Sequence, residues 1–308
     1  MSTDSETRQQ RAPLVAGARL GSPPSLLLVL FGDYWLEADG GLPSAALVAL
    51  LGDFGVNDAA ARAALSRMVK RGLLISSKSG RNTAYRASLR GQQVLRDASY
   101  RIVEFGSAVE QWSGVWSMIA FDLPENARSL RSAVRNRLNW LGFAPLYQEV
   151  WISPHDRHET AVRELLSLGV QATPFQASFA ESGIPTRMPQ NAWNLDDLAA
   201  RYSRFIDLAE AAIQDVGGGQ LTPAAAVVER TRLVESWLEL SSDDPELPNS
   251  ILPADWPREH ARRLLLRAHS ILEPLATSRV KSLVVEYDSD AAERVERRNV
   301  EDWYRLTR

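Results

Sequence analysis

The chain has 308 residues, 45% of them hydrophobic and 24% charged, with 35 basic and 38 acidic side chains giving a formal charge of −3. Such a length and composition suit a globular protein with two or three cores and exclude a peptide hormone or a disordered tail. Cysteine is absent, which excludes disulfides, thiolate metal sites and a cysteine nucleophile and permits a reducing compartment. No apolar run reaches the roughly 18 residues of a spanning helix, and the start lacks the apolar core of a secretory signal. A soluble cytoplasmic protein with no membrane partner is therefore expected.

The overall charge hides an asymmetry. Between Val56 and Arg96 stand nine cations (Arg62, Arg67, Lys70, Arg71, Lys78, Arg81, Arg86, Arg90 and Arg96) against the single acid Asp58, so this stretch carries +8 and the remainder −11. A positive segment on an acidic body is the pattern of a protein that grips phosphates with one part and does something else with the rest. A solvated surface is the plainer reading of the same charges.

Residues 1–24 show no apolar period and end in Gly21-Ser22-Pro23-Pro24, so an arm is expected, with order beginning near Ser25. Leu26 to Phe31 predict a first helix closed by the Gly32 to Gly41 region, and Pro43 with Ser44 opens a second through Leu50. After the turn Gly52-Asp53-Phe54-Gly55, Asn57 is a suitable N-cap for a third helix ending near Arg71 before Gly72. On that helix Ala61, Ala64, Leu65, Met68 and Val69 form one apolar stripe. Ala59, Arg62, Ala63, Ser66, Arg67 and Lys70 occupy the other side. Small residues let a helix backbone approach a major groove, while Arg reaches base edges and Lys reaches phosphates.

Leu73 to Arg86 then read as strand, Gly-containing turn and strand, a β-hairpin wing with Lys78 and Arg81 near its tip and Tyr85 packing within it. The combination predicts a winged helix-turn-helix over 25–97. Its expected DNA contacts are Asn57, Arg62, Ser66, Arg67, Lys70, Lys78 and Arg81, with Arg62 and Arg67 as base readers. The same fold also serves as a protein-protein module in larger assemblies.

Residues 98–112 look helical and lead into a region of different character. Val115 to Asp122 predict a buried strand, Pro124 and Glu125 open an amphipathic helix to Gly142, Phe143 to Tyr147 and Glu149 to Ser153 are two strands, Arg157 to Leu168 is a helix, and Ala172 to Phe179 is a strand. The order βαββαβ over 98–185 is that of a ferredoxin-like sandwich. Ile119-Ala120-Phe121-Asp122-Leu123-Pro124 through Gly142-Phe143 resembles the small ferredoxin-like subunit of the CRISPR adaptation complex, which raises a metal-dependent nuclease as an alternative, with Asp122 as its carboxylate. One carboxylate is too few for a hydrolytic metal site, and a helix cap is the expected role of Asp122.

The final segment, 186–308, is expected to be mainly helical: Asn194 caps one helix, Gly217 to Gly219 break it, Pro223 opens another to about Leu240, and Glu259 to Leu272 form a third. Four prolines between Asp243 and Pro257 predict a rigid, extended loop. The expected class is thus α+β and multidomain: winged helix-turn-helix, ferredoxin-like middle, helical C-terminus.

Asp244-Pro245-Glu246-Leu247-Pro248 followed by Leu252-Pro253-Ala254-Asp255-Trp256-Pro257 resembles the C-terminal signature of the PaaX family, repressors of bacterial phenylacetate catabolism. The stretch from Ala61 to Leu74 with its wing, Phe121-Asp122-Leu123-Pro124-Glu125, and Val150-Trp151-Ile152-Ser153-Pro154 follow the same family's pattern in order. This resemblance covers Ser25 to about Leu272. It implies a dimeric repressor bound to double-stranded operator DNA and released by an aryl-acyl-CoA such as phenylacetyl-CoA, with 186–308 as the effector and dimerisation segment. An effector of that kind needs an aromatic slot and cations for its phosphates, and Trp193, Trp237, Trp256, Arg258, Arg262 and Arg263 are candidates, though buried Trp and helical Arg have commoner uses. Catalysis, metal and cofactor are not expected. His155, His158, His260 and His269 have no Ser and carboxylate partners set by spacing, and there is neither a GxGxxG nor a Walker lysine motif.

Overall fold

The computed structural model describes residues 20–79, 82–107, 112–124, 127–179, 189–299 and 302–303. The expected arm up to residue 19, Arg81 at the hairpin tip and Glu125 lie outside the described residues. The protein is a mixed α+β molecule with two sheets and a helical C-terminal region. Among the described residues, contacts gather into two compact units, one formed within 112–200 together with Asp244–Trp256, the other within 20–107, Arg201–Asp243 and 257–303.

In the second of these units, α1 (Pro23–Tyr34) buries Leu26, Leu27, Leu30, Phe31 and Tyr34. It includes Gly32 and ends at Tyr34, inside the Gly32 to Gly41 region where its close is expected. A mid-helix glycine costs about 1 kcal/mol, less than the burial of Tyr34 beyond it contributes. Strand β1 (Leu42–Pro43), α2 (Ser44–Gly52) and α3 (Asp58–Lys70) follow, then β2 (Leu74–Ser79) and β3 (Asn82–Ala87). These strands form an antiparallel sheet in the order β1-β3-β2, with Leu42 opposite Tyr85 and Ser77 opposite Ala84.

Helix α4 spans Leu89–Glu104, not the expected 98–112, because Ser88 caps it: the Ser88 hydroxyl accepts from Gly91 N–H at 2.9 Å. The same hydroxyl donates to Gly72 O at 2.6 Å, and Ser88 N–H donates to Leu73 O at 3.0 Å. Gly91 permits this close approach, since a Cβ there would lie 2.1 Å from Leu73 O. The base of the hairpin is thereby fastened to the end of α3 and the start of α4.

The first-named unit contains β4 (Trp116–Phe121), α5 (Arg128–Trp140), β5 (Ala144–Tyr147), β6 (Val150–Ser153), α6 (His158–Ser167) and β7 (Ala172–Ala177). All pairings are antiparallel and the order is β5-β6-β4-β7. Period-2 alternation splits β4 between two cores. Ile119 and Phe121 pack with Val134, Leu138 and Leu165 of α5 and α6, while Trp116 and Met118 join Leu146 and Ile152 under Trp112 and Trp193. Helix α5 begins three residues later than Glu125, with Ala127 at its N-cap and no side-chain cap.

The helical C-terminal region comprises α7 (Leu195–Gly217), α8 (Pro223–Asp243), α9 (Arg258–Val285) and α10 (Ser289–Glu293). The Asn194 carbonyl and side-chain oxygens accept from Leu198 and Asp197 N–H, as its expected capping role requires. Helix α9 continues 13 residues past the expected end at Leu272 and carries Pro274 within it. Its buried stripe, Leu265, Ala268, Leu272, Ala276, Val280 and Leu283, runs unbroken across the proline and outweighs the lost hydrogen bond. The proline-rich stretch is not one extended path. Asp244, fully buried, accepts from Glu246 N–H at 2.6 Å, Glu246 takes φ 55°, and Asn249–Ile251 form a 3₁₀ turn.

Candidate nucleic-acid interface

Helix α3 is built from both ends. Asn57 Oδ1 accepts from Ala60 N–H at 2.9 Å, so its oxygen serves as a cap and only its amide NH₂ is left for another contact. At the other end Gly72 takes φ +70°, its N–H reaches Val69 O, and Leu73 N–H reaches Met68 O at 3.0 Å, a Schellman closure. Ala61, Ala64, Leu65 and Met68 are buried; Val69 is only half-buried, so the apolar stripe is one residue narrower than its spacing predicts.

Arg62, Ala63, Ser66, Arg67 and Lys70 are exposed together on the opposite side of α3, and Lys78 is exposed on β2. Arg62 sits 3.8 Å from Asp58 in a solvent-exposed i,i+4 pair, which is weak and easily exchanged for another anion. Among the described residues Arg67, Lys70, Lys78, Arg86, Arg90 and Arg96 carry no ion pair. The structure therefore brings Arg62, Ser66, Arg67 and Lys70 onto one accessible face and leaves Asn57 at its N-terminal edge.

The effector candidates divide between the two units. Trp193 stacks on Trp116 with centroids 6.0 Å apart and belongs, with Trp256, to the unit holding the four-stranded sheet. Trp237, Arg258, Arg262 and Arg263 belong to the other unit. Trp237 cannot offer its face to a ligand: it is fully buried against Phe105 and Phe205, and its Nε1 donates to Ile102 O at 3.1 Å. Arg258 is buried with its stem over Gly106, Arg262 donates to Val103 O at 2.9 Å, and Arg263 pairs with Glu259. An apolar cleft of about 30 Å³ does lie among α1, α4 and α8, lined in part by Leu28, Val94, Ala98, Leu238 and Trp303; none of the six candidates borders it.

Asp122 is exposed and does not cap α5, whose start lies beyond its reach at Arg128. No group of three or more His, Asp or Glu among the described residues could hold a metal ion. His155 Nε2 lies 2.8 Å from Pro245 O and His158 Nδ1 lies 2.6 Å from Asp156, so the two histidines face different partners.

Sequence reasoning missed a buried polar cluster behind the interface. Asp33 on α1 lies 3.6 Å from Arg230 Nε on α8 and 3.4 Å from His269 Nε2 on α9, all three buried. Arg230 also donates to Arg298 O at 2.5 Å and lies over the Tyr34 ring at 5.2 Å, while Trp303 packs on His269 at 4.1 Å. Burial alone would raise the Asp33 carboxyl, but Arg230 and His269 hold it below the usual carboxylate range. Burial, then Arg230, pushes His269 down to about 4, so it is neutral at pH 7. No spacing announces this cluster, because its members are nearly 200 residues apart or more, except for the pair on α8 and α9. Asp33 on an otherwise apolar helix was the one available cue.

Three models of one family match the chain in order: "PaaX-like protein" over residues 22–91, "PaaX protein central Cas2-like domain" over 109–188 and "PaaX-like protein C-terminal domain" over 193–282. A curated relative, the Transcriptional repressor PaaX of Escherichia coli (strain K12), is 28% identical and aligns with 83% of this chain and 82% of its own. Among solved structures, the uncharacterized protein Rv0674 from Mycobacterium tuberculosis superposes with a TM-score of 0.55 at 24% identity, covering 85% of this chain and 98% of that one, a likeness of fold. The fold and the site define a mixed α+β protein with two sheets and a cationic helix face among the described residues. The chain belongs to the PaaX family.

Proposed function

We propose that this chain is a DNA-binding transcriptional repressor that controls a catabolic operon of the phenylacetate type. The observation that carries the proposal is the exposed face of α3, where Arg62, Ser66, Arg67 and Lys70 stand together beside an exposed Lys78 in a segment of charge +8. The relative named a transcriptional repressor, aligned over most of both chains, supports the same reading. Residues 25–97 act as a winged helix-turn-helix: the capped α3 enters the major groove, Arg62 and Arg67 reach base edges, Ser66 and the Asn57 amide add short polar contacts, and Lys70, Lys78 and Arg81 hold phosphates.

Residues 98–185 form a ferredoxin-like spacer, a reading supported by the order β5-β6-β4-β7, which places the first and third strands of βαββαβ at the centre. Residues 186–308 serve effector response and dimerisation. The repressor works in the cytoplasm as a homodimer on two half-sites one or two helical turns apart, and an aryl-acyl-CoA such as phenylacetyl-CoA releases it.

A gel shift and footprint with the DNA upstream of its own and neighbouring genes, with and without phenylacetyl-CoA, tests the reading. Binding without metal, lost in the Arg62→Ala/Arg67→Ala double variant and weakened by the thioester, is expected. Binding indifferent to the thioester overturns the effector, and binding indifferent to the double variant overturns the α3 interface.

A further inference from the structure

The unit built on the four-stranded sheet holds a small cleft that no part of the repressor reading uses. It lies where the C-terminal end of β4 meets α5, has a volume of about 40 Å³, and is bordered by Phe121, Arg131, Arg135, Gln148, Glu149 and Trp151. Trp151 is 3% exposed, and its indole N–H finds no acceptor among the described residues. Buried donors are almost always satisfied, so an indole N–H left in this state beside a cleft points to an acceptor that arrives from outside the chain.

The rim fits one kind of acceptor. Arg131 and Arg135 stand one turn apart on α5, so both guanidinium groups border the same opening. Arg131 is preset, because its Nη2 donates to Pro124 O at 3.1 Å and lies 3.4 Å from Leu123 O, leaving its other donors for a ligand. Arg135 is exposed and has no ion pair among the described residues. Glu149 contributes one negative charge against these two cations, a balance that favours a monoanion over a dianion.

From this geometry we infer that the α5 cleft is an anion-binding subsite for a monoanionic oxyanion group, a phosphodiester or a carboxylate, held by Arg131, Arg135 and the Trp151 indole N–H. The site is independent of the α3 interface, and it takes either a backbone phosphate of bound DNA or the anionic group of a free small molecule.

The test uses the full-length chain with inorganic phosphate and acetate as probes, at constant ionic strength set with chloride. Saturating phosphate or acetate is expected to raise the thermal midpoint of wild type by about 3 °C. Trp151→Phe removes the donor together with the five-membered ring and lowers the midpoint without the anion by the cost of the cavity, so the response is read against the variant's own anion-free midpoint, where the anion-dependent rise disappears; Arg135→Gln, on an exposed position, loses most of the rise as well. Equal responses in wild type and both variants, or no response in wild type, overturn the inference. The source is read from a non-operator duplex: a fall of about one in the slope of log K against log salt in Arg135→Gln assigns a DNA phosphodiester, and an unchanged slope with the anion response intact in wild type assigns a free anion.

Discussion

At the scale of the residue, the cations of α3 and the buried His269 make different demands on their surroundings. Arg62 and Arg67 need exposure and a partner that brings negative charge, and loss of both is expected to abolish sequence-specific binding, whereas Lys70→Ala and Lys78→Ala weaken binding to all sequences alike and each lower the salt slope by about one. A salt titration of operator and non-operator DNA separates the two behaviours. His269 is the reverse case. Its folded pKa is lowered to about 4 against an unfolded value near 6.5, so between these values the unfolded state binds the proton that the folded state refuses. Stability therefore falls as pH drops from about 6.5 to about 4, by roughly 3 kcal/mol from this group. Asp33, with its lowered pKa, adds a further loss as pH falls below the unfolded carboxylate range. Denaturant midpoints at pH 7, 5.5 and 4.5 should show this slope, and His269→Gln should flatten the part above pH 4.5.

At the scale of the element, the junction of α3, the hairpin and α4 hangs on Ser88 and Gly91. Gly91→Ala would drive a methyl group into Leu73 O, 2.1 Å from the ideal Cβ position, and backbone has little freedom to retreat. A loss of about 1 to 3 kcal/mol is expected, read as a lower thermal midpoint. Ser88→Ala removes a cap and the bond to Gly72 O together, and costs about 1 kcal/mol. The α3 helix itself was legible from sequence because its cap, its apolar stripe and its glycine stop are all local. Helix α4 was not. Its Ser88 cap is followed by Gly91, which in isolation reads as a breaker; only the approach of Leu73 O explains why glycine belongs in that first turn.

At the scale of the whole molecule, the C-terminal helices hold the N-terminal ones within one compact unit. Arg279 of α9 makes a bidentate contact with Asp53, both bonds 2.9 Å, at the turn that leads into α3. Hydrogen bonding to Asp53 is the main reason the Arg279 pKa is raised. Such a charge-assisted pair is worth about 1.5 to 3 kcal/mol when partly buried, and a double-mutant cycle with Asp53→Asn and Arg279→Met should return a coupling of that sign with a matching loss of operator affinity. Trp303, 1% exposed against His269, ties the last described residues to the same core. Trp303→Ala is expected to lower stability by about 3 to 5 kcal/mol, measured by denaturant unfolding, while folded protein at low temperature still binds DNA.

What the sequence by itself determined about this protein is what depends on neighbours along the chain: the cap and stripe of α3, the hairpin after Gly72, the buried strand β4, and the order of strands and helices around it. The tertiary structure decided what depends on distant partners. It drew Asp33, Arg230 and His269 into one buried cluster, carried α9 across Pro274, sent Trp237 into the core and left the Trp151 indole, among the described residues, without an acceptor beside two arginines. Periodicity reports which face of an element is apolar, but a buried charge is tolerated only where its counter-charge arrives from another element, and that meeting has no period to read.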